Sequence, residues 1–258
     1  MSDFELPNFS TDLSGQVALV TGTTSGLGER FARLLANQGA KVVLTGRRTE
    51  RLVTLKAEIE AAGGTAHACT LDMTNTDSII AAVDETERVF GPVTTLVNNA
   101  GIPDAQRAHK MSHELIDAVF DTNLRGPYVL SCEVAKRLIE KDLPGRIVNI
   151  SSVGAFRYDG NGAALYSITK AGVVRMTEAL AVEWARYNIN VNCIAPGAFS
   201  TEMMDGMVER IGDFSKNFPR KRFGDPAQLD STLLYLVSPS SDFVTGAVIK
   251  VNDGQGVG

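Results

Sequence analysis

The sequence is poor in cysteine and has no excess of positive charge. Cys69, Cys132 and Cys193 are odd in number and far apart, which predicts reduced structural thiols rather than a disulfide framework or a metal site. The net charge of −5 argues against a general surface for nucleic acid or anionic membranes.

Long apolar runs are also missing. No stretch approaches the roughly 18 consecutive apolar residues of a transmembrane helix. The run from Met1 to Glu5 lacks the basic and apolar regions of a signal peptide. We therefore expect a cytoplasmic protein that contacts no membrane and no nucleic acid.

No fixed-period repeat and no low-complexity linker divides the chain. Its 258 residues, 44% of them hydrophobic, are enough for one large core. We predict a loosely attached N-terminal arm over 1–14 and a single domain over 15–258.

Short apolar segments alternate with longer amphipathic ones from Gln16 onward. This alternation predicts right-handed βαβ units, and hence an α/β fold with a parallel sheet covered by helices on both faces. The predicted strands are 16–21, 41–45, 65–71, 94–97, 147–150, 189–194 and 247–251. Helices are predicted to follow the first strand through about Gln38, over 163–186 and near 226–236.

Three glycines occupy the turn between the first strand and its helix, in the run 22–28 (Gly-Thr-Thr-Ser-Gly-Leu-Gly). Glycines there let the backbone approach a pyrophosphate, whose charge is stabilised by free N–H groups and the positive helix end. An ordinary turn is the alternative. The spacing differs from the usual G-x-G-x-x-G, but the position between strand and helix favours a dinucleotide.

The second strand ends in Gly46-Arg47-Arg48. In dinucleotide-binding folds an acidic residue at this place bonds the ribose 2′-hydroxyl, whereas an arginine accommodates a 2′-phosphate. Arg47 therefore favours NADP(H), and NAD(H) is the alternative. The structural alternative is that both arginines are solvated at the start of a helix.

The next two strands also end in polar residues. The third ends at Asp72, where a carboxylate could accept from an adenine amino group; capping the helix after Asn75 is a nearly equal alternative. The fourth leads to the run 98–101 (Asn-Asn-Ala-Gly). This run could form a turn, or it could stabilise the strand and contact the nicotinamide ribose at the ligand-facing edge.

Tyr166 and Lys170 are four positions apart in a predicted helix, which puts a phenol and an ammonium on one face. A phenol titrates at about pH 10, and a neighbouring cation favours the phenolate. Such a tyrosine can act as general acid or base. Ser152, at the end of the preceding strand, could hold a substrate oxygen beside it.

Asn123 lies inside a long helical pattern, where asparagine is unfavourable unless its amide has a role. His109 and His113 are four apart without an obvious third ligand, so we expect no metal site.

A Pro-Gly break follows the sixth strand and precedes Met203, Met204 and Met207. Methionines usually fill gaps in a core, but at a sheet edge they could line a substrate lid, here over about 197–224.

Five separated motifs, taken together, resemble the short-chain dehydrogenase/reductase family over nearly the whole chain. They are Thr21-Gly22-x-x-x-Gly26-x-Gly28, Asn98-Asn99-Ala100-Gly101, Asn123, Ser152 with Tyr166-x-x-x-Lys170, and Pro196-Gly197 through Thr201. The resemblance implies a Rossmann fold with a seven-stranded parallel sheet. It also implies an NAD(P)-dependent oxidoreductase that interconverts a secondary alcohol and a ketone, and a homotetramer or dimer.

The resemblance further implies the catalytic roles. Tyr166 would give a proton to the carbonyl oxygen in reduction and remove it in oxidation, and Lys170 would lower its pKa and hold the nicotinamide ribose. Ser152 would bond the reacting oxygen, and Asn123 would anchor a water linking Lys170 to solvent. The expected cofactor contacts are Gly22, Thr24, Ser25, Gly26, Leu27, Gly28, Arg47, Asp72, Met73, Asn99, Ala100, Gly101, Ile150, Tyr166, Lys170, Pro196, Gly197, Phe199 and Thr201.

The chain departs from the family in two places. Thirteen residues separate Ser152 from Tyr166, whereas the family usually has twelve. We assign the extra residue to the turn-rich loop 158–162, and Ser151 remains the other candidate for the hydroxyl. Ser25 stands where many NADP-preferring members carry Lys or Arg, so the NADP(H) prediction depends mainly on Arg47.

A dinucleotide-binding regulator or scaffold is the alternative from another functional class. Such a protein needs the glycine turn but not the proton relay. The intact set Asn123, Ser152, Tyr166 and Lys170 therefore favours an enzyme. No basic cluster near the predicted lid indicates a phosphorylated substrate, and Arg157 is expected to be solvent-exposed rather than to meet an anion.

Overall fold

The computed structural model describes residues 7–104, 106–158, 160 and 162–255. Within them, seven strands form one parallel sheet in the order β3-β2-β1-β4-β5-β6-β7. This arrangement confirms the predicted α/β fold of the Rossmann type. The strands are β1 (Val17–Thr21), β2 (Lys41–Gly46), β3 (Thr65–Thr70), β4 (Thr95–Asn98), β5 (Gly145–Ile150), β6 (Ile189–Pro196) and β7 (Val248–Val251).

Helices cover both faces of the sheet, and each face has its own apolar core. On one face Phe31 and Leu35 pack with Leu233. On the other face Ile79 and Leu130 belong to the same cluster as Val173. The helices are α1 (Gly26–Asn37), α2 (Thr49–Ala61), α3 (Thr76–Phe90), α4 (His113–Phe120), α5 (Gly126–Glu140), α6 (Ala164–Trp184), α7 (Glu202–Ile211) and α8 (Asp230–Val237).

The central strands are buried along their whole length, as β1 and β6 show. Helices exclude water from both faces of a parallel sheet, so such strands are mainly apolar. In β6 the buried Asn190 and Asn192 instead satisfy their side chains by donating to backbone carbonyls. Predicted and observed strand ends differ by up to two residues. β5 begins two residues earlier, at Gly145, and β6 continues to Pro196 because Pro196 is still paired in register with Val251 of β7.

Two predicted helices contain irregular turns. The long helical pattern around Asn123 consists of α4 and α5, which are joined by a π-helical turn at Asp121–Arg125. The helix expected near 226–236 begins as a 3-10 turn at Pro226–Leu229, which continues into α8.

The described part of the N-terminal arm, residues 7–14, contacts the domain through Leu13 and Ser10. Leu13 is 1% exposed within the core of the α1 face, and its N–H donates to the Gln38 carbonyl at 2.8 Å. The Ser238 hydroxyl donates to the Ser10 carbonyl at 2.7 Å. Burial of one leucine side chain, worth about 2 kcal/mol, accounts for this attachment.

The strand order places the functional residues. It reverses between β1 and β4, which are neighbours at the centre of the sheet. Ligands of open α/β sheets bind at the carboxyl ends of the strands beside such a reversal. The loops after β1, β4, β5 and β6 therefore meet at one edge.

Candidate active site

The glycine turn after β1 is shaped by close backbone contacts. Gly22 has φ +72°, and a Cβ there would lie 2.9 Å from the Ala100 Cα. A Cβ on Gly28 would overlap the Gly22 carbonyl and the Asn99 amide. Only glycine at these two positions lets the loop after β4 approach the loop after β1 so closely.

The start of α1 is suited to an anion. Among the described residues, no first-turn N–H of α1 is capped by the Ser25 side chain. Free N–H groups at the positive end of a 12-residue helix are a favourable place for a pyrophosphate. The turn therefore fits the dinucleotide that the glycines predict.

The asparagines after β4 brace this turn. Asn99 Nδ2 donates to the Thr21 carbonyl at 2.9 Å, and Thr21 Oγ1 accepts from the Asn99 and Ala100 N–H groups at the same distance. Asn98 is buried and donates to Ser131 Oγ at 2.9 Å and to the Asn149 amide oxygen at 2.8 Å. The run 98–101 thus stabilises the carboxyl ends of β1, β4 and β5.

Two arginines after β2 have different surroundings. Arg47 is exposed. The Arg48 guanidinium instead donates to Thr24 Oγ1 at 2.8 Å, to Ser25 Oγ at 2.9 Å and to Glu202 at 3.0 Å. The alternative of two solvated arginines therefore does not hold for Arg48.

Asp72 folds back on its own turn. It accepts from the backbone N–H and the hydroxyl of Thr74, both at 2.9 Å. The backbone bond is the main cause that lowers its pKa, and the charge of Arg47 adds to it. Asn75 caps α3 by accepting from the Ser78 N–H at 3.1 Å. The alternative in which Asp72 caps that helix is wrong, because Asn75 already stands at the cap position.

Three predicted cofactor contacts have side chains that are buried in the cores: Met73, Ile150 and Phe199, each at most 6% exposed. Phe199 packs against Gly224, where a Cβ would lie 2.7 Å from its ring.

Tyr166 lies in the first turn of α6, beside the end of β5. The Ser152 hydroxyl accepts from the Gly154 N–H at 3.1 Å and lies near enough to Tyr166 to lower its pKa. Burial is the main influence on Tyr166 and raises its pKa, Ser152 lowers it, and the negative charge of Asp104 raises it further.

Lys170 is 4% exposed and lies one turn along α6. Its Nζ is 5.5 Å from the centre of the Tyr166 ring and donates to the Ile150 carbonyl at 2.9 Å. Burial lowers the pKa of Lys170 to about 8. The structure thus differs from the expectation that the ammonium dominates the phenol: burial has the larger effect on both groups.

The two candidate serines are separated by the alternation of side chains along an extended chain. Ser151 is 3% exposed, and its hydroxyl donates to the Lys170 carbonyl at 2.8 Å. Ser152 faces Tyr166. The inserted loop 158–162 between them and α6 includes Asp159 and Asn161, which lie outside the described residues.

Asn123 is buried in the π-helical turn between α4 and α5. Its amide oxygen accepts from the Ile102 N–H at 2.8 Å, and its Nδ2 donates to the Ile102 carbonyl at 2.9 Å. π-turns inside helices occur frequently at functional sites. Here the amide holds the loop after β4 against α5.

Comparisons with known proteins agree with this geometry. A family model described as short chain dehydrogenase matches residues 16–211. The chain is 37% identical over 245 residues to gluconate 5-dehydrogenase of Gluconobacter oxydans, covering 94% of this chain and 95% of that one. It is 38% identical over 246 residues to a 3-oxoacyl-(acyl-carrier-protein) reductase of Aquifex aeolicus, covering 94% and 98%.

A solved structure of gluconate 5-dehydrogenase from Burkholderia cenocepacia, in complex with NADP and tartrate, has a TM-score of 0.89 at 32% identity, covering 96% of this chain and 97% of that one. The chain belongs to the short-chain dehydrogenase family. It is therefore an NAD(P)-dependent oxidoreductase that acts on CH–OH or ketone groups. This membership confirms the predicted family and enzyme class.

In this short-chain dehydrogenase the segment predicted to form a lid lies beside the glycine turn. Thr201 caps α7 by accepting from the Met204 N–H at 3.3 Å, and a Cβ on Gly26 would lie 3.4 Å from its side chain. Met203 is 46% exposed, and Met204 and Met207 are half-buried. These methionines therefore do not fill the core.

Sequence reasoning missed Arg51 and Glu202 in this short-chain dehydrogenase. The Arg51 guanidinium donates to the Thr24 carbonyl at 3.2 Å and to Glu202 at 3.1 Å. No local signal indicates this contact because the two residues are 151 positions apart.

Other predicted features can be placed briefly. In the part of the chain that the structure describes, no three His, Cys, Asp or Glu side chains form a metal-binding group, and no helix is both long and apolar enough to cross a membrane. Cys69, Cys132 and Cys193 are free thiols. Burial raises the pKa of Cys69 and Cys193 to about 11, which suits inert structural thiols.

Proposed function

We propose that the enzyme reduces a ketone to a secondary alcohol with NADP(H), and oxidises the alcohol in reverse, with Tyr166 as the group that exchanges the proton. The observation that carries this proposal is the placement of Ser152 beside Tyr166 at the carboxyl edge of the sheet, where Ser152 lowers the pKa of the phenol. Lys170 lies one turn along the same helix. The nicotinamide supplies the hydride when bound.

Ser152 and Tyr166 act on the same substrate oxygen in this proposal. The Ser152 hydroxyl lies beside the Tyr166 phenol, so one substrate oxygen can accept a hydrogen bond from both. In reduction Tyr166 donates its proton to that oxygen. The bond from Ser152 stabilises the phenolate that this leaves, because it favours the charged form.

Lys170 places a buried amine beside Tyr166 that can gain or lose a proton. Its pKa of about 8 lets it carry either charge state near neutral pH. The Cβ position on Gly101 is 3.5 Å from Lys170 Nζ and 3.4 Å from the Asn123 amide oxygen. Lys170 and Asn123 therefore meet beside Gly101, and in this proposal they relay the proton of Tyr166.

Arg47 supports NADP(H) over NAD(H). Its guanidinium is exposed beside the end of β2, and within the described residues it makes no hydrogen bond that a 2′-phosphate would have to displace. Arg48 and Arg51 add positive charge nearby but are held by Glu202. The related gluconate 5-dehydrogenase was solved with NADP.

The domain boundaries and assembly are part of the proposal. We assign 15–258 to one catalytic domain with a lid over about 197–224. Exposed apolar side chains on the outer helices, Tyr128 of α5 and Val182 of α6, are 50% and 81% exposed. They support a homodimer or homotetramer through these helices, which light scattering on the Val182→Asp variant would test against the wild type.

The proposed function is tested with purified protein, both reduced cofactors and a panel of ketones. Wild-type enzyme should oxidise NADPH with at least one ketone, and Tyr166→Phe should lose at least about 100-fold in kcat while it still binds NADPH. Normal turnover in Tyr166→Phe would refute the proton-transfer role. Tight cofactor binding without turnover of any substrate would instead support the dinucleotide-binding regulator.

A further inference from the structure

Asp104 caps the helix that carries the proposed catalytic residues. It lies in the loop after β4 and is 3% exposed. Its carboxylate accepts from the Leu165 N–H at 2.9 Å and from the Tyr166 N–H at 3.1 Å, both in the first turn of α6. The residue at the local cap position is Ala163, whose side chain cannot accept a hydrogen bond. The cap of α6 is thus Asp104, which precedes Leu165 by 61 positions and Tyr166 by 62.

We propose that Asp104 is a positioning residue for catalysis: it fixes the first turn of α6, and with it Tyr166, against the loop after β4. The inference rests on the proton-transfer role proposed for Tyr166. Asp104 reaches the backbone of Tyr166 and acts on the reaction only through it.

The loop that carries Asp104 is itself fixed by hydrogen bonds to other parts of the site. Two residues before Asp104, the backbone of Ile102 is held in both directions by the Asn123 amide. The segment 102–104 is therefore fixed at one end to the π-turn before α5 and at the other to α6. Because Asn99 braces the start of the same loop against the glycine turn, this loop connects the cofactor side of the site to Tyr166.

The charge of Asp104 has a second effect. A carboxylate at a helix N-terminus is stabilised by the helix dipole and by the two N–H bonds. The same negative charge disfavours the phenolate of Tyr166 and raises its pKa, after the larger effect of burial. Asp104 therefore holds Tyr166 in place and also shifts the pH range in which it exchanges its proton.

Other groups around Tyr166 come from every element packed against α6. Ser152, at the end of β5, opposes the effect of Asp104. Lys170 lies on α6 itself, 5.5 Å from the ring centre, and Cys193 on β6 faces Lys170. The π-turn contributes the neutral Asn123, whose amide is 3.4 Å from Thr169 Oγ1. Arg157, in the loop after Ser152, is exposed.

Two substitutions separate the cap from the charge. Asp104→Asn keeps an oxygen that can accept the N–H bonds but removes the negative charge. Asp104→Ala removes both. Asp117→Asn is the matched control, because it removes one exposed carboxylate on α4 with the same change in net charge.

The readouts are the pH profile of alcohol oxidation, kcat, the KM for NADP and the Tm. Oxidation requires the phenolate, so its rate rises with pH through the pKa of Tyr166. In Asp104→Asn this limb should move to lower pH, while the Tm stays closer to that of the wild type. In Asp104→Ala the same shift of the pH profile should appear, together with a lower Tm and a kcat reduced by about tenfold. The KM for NADP should change little in both.

The proposal is overturned if Asp104→Asn has the same pH profile as wild type and Asp117→Asn, or if Asp104→Ala keeps the wild-type kcat. Should Asp104→Ala not fold, the profile of Asp104→Asn still decides. The Tyr166→Phe variant distinguishes failure of the Asp104 proposal from failure of the proposed function. If it is inactive while the Asp104 variants behave like wild type, the proposed function stands and the role of Asp104 falls; if it is active, the proposed function itself falls.

Discussion

Glu202 at the start of α7 bonds Arg51 at the start of α2 at 3.1 Å, across 151 positions of the chain. The same carboxylate bonds Arg48 at 3.0 Å, and Arg48 in turn bonds Thr24 and Ser25. The first residue of α7 is therefore linked to the glycine turn through Arg48.

Removing the ion pairs of Glu202 with Arg48 and Arg51 should make α7 more mobile. Hydrogen exchange of the α7 amides should be faster in Glu202→Gln than in wild type at low salt, and added salt should reduce the difference because the pairs are about half exposed. Glu209→Gln, an exposed change on the same helix, is the control. Equal exchange in both variants would show that the ion pairs do not hold α7.

The ion pairs of Glu202 should also persist at mildly acidic pH. Hydrogen bonds with Ser25 and then Arg48 lower the pKa of Glu202 to about 2. Because the folded pKa lies below the usual value, the contribution of this carboxylate to stability is present at neutral pH and is lost only as the pH falls toward about 2. The difference in α7 exchange between wild type and Glu202→Gln should therefore persist at pH 5, and its disappearance there would contradict the assignment.

Arg47→Ala tests the cofactor preference. Removing one charged contact to a 2′-phosphate should raise the KM for NADPH by about tenfold or more and leave the KM for NADH nearly unchanged. Arg175→Ala, an 80% exposed arginine side chain on α6, is the control for loss of positive charge. Parallel changes with both cofactors would favour NAD(H) or a general electrostatic effect.

Lys170 should make stability depend on pH in the alkaline range. Burial lowers its folded pKa from the ordinary 10.5 to about 8. Below about 8 the folded protein bears the full penalty of a buried ammonium. Between about 8 and 10.5 the unfolded chain binds one more proton than the folded chain, so stability rises with pH.

The measurement is the free energy of unfolding of wild type and Lys170→Met between pH 7 and 10. The wild type should gain on the order of 3 kcal/mol relative to the variant over the full interval. Other titrating groups cancel in this comparison. A constant difference between the two proteins would mean that Lys170 keeps its ordinary pKa.

Gly28→Ala tests the contact between the two loops at the cofactor edge. Its methyl group would overlap the Gly22 carbonyl and the Asn99 amide, so we expect a loss of about 1–3 kcal/mol in unfolding free energy and weaker binding of both cofactors. Gly206→Ala in α7 has open space around the new methyl. It should be neutral or stabilise by up to about 1 kcal/mol, and a similar loss in both variants would refute the close approach.

Much of the fold and part of the site could be predicted from local patterns. Buried strands are mainly apolar runs, and the glycines between β1 and α1 mark a turn that only small residues allow. Tyr166 and Lys170 are neighbours on α6 because four positions make about one turn of an α-helix. The alternative in which Asp72 caps α3 was wrong because a carboxylate and an asparagine three positions apart are equally good candidates, and only the backbone path selects Asn75.

The amino-acid sequence by itself determined the layered fold, the order of the motifs and the spacing of Tyr166 and Lys170, because periodicity and residue type act over a few neighbouring positions. Only the tertiary structure decided that Ser152 and not Ser151 faces Tyr166, that Asp104 caps α6, and that Glu202 meets Arg51. It also decided that burial raises the pKa of Tyr166. These features depend on which distant segments are packed together and on how much water they exclude, and neither is encoded in any single stretch of the chain.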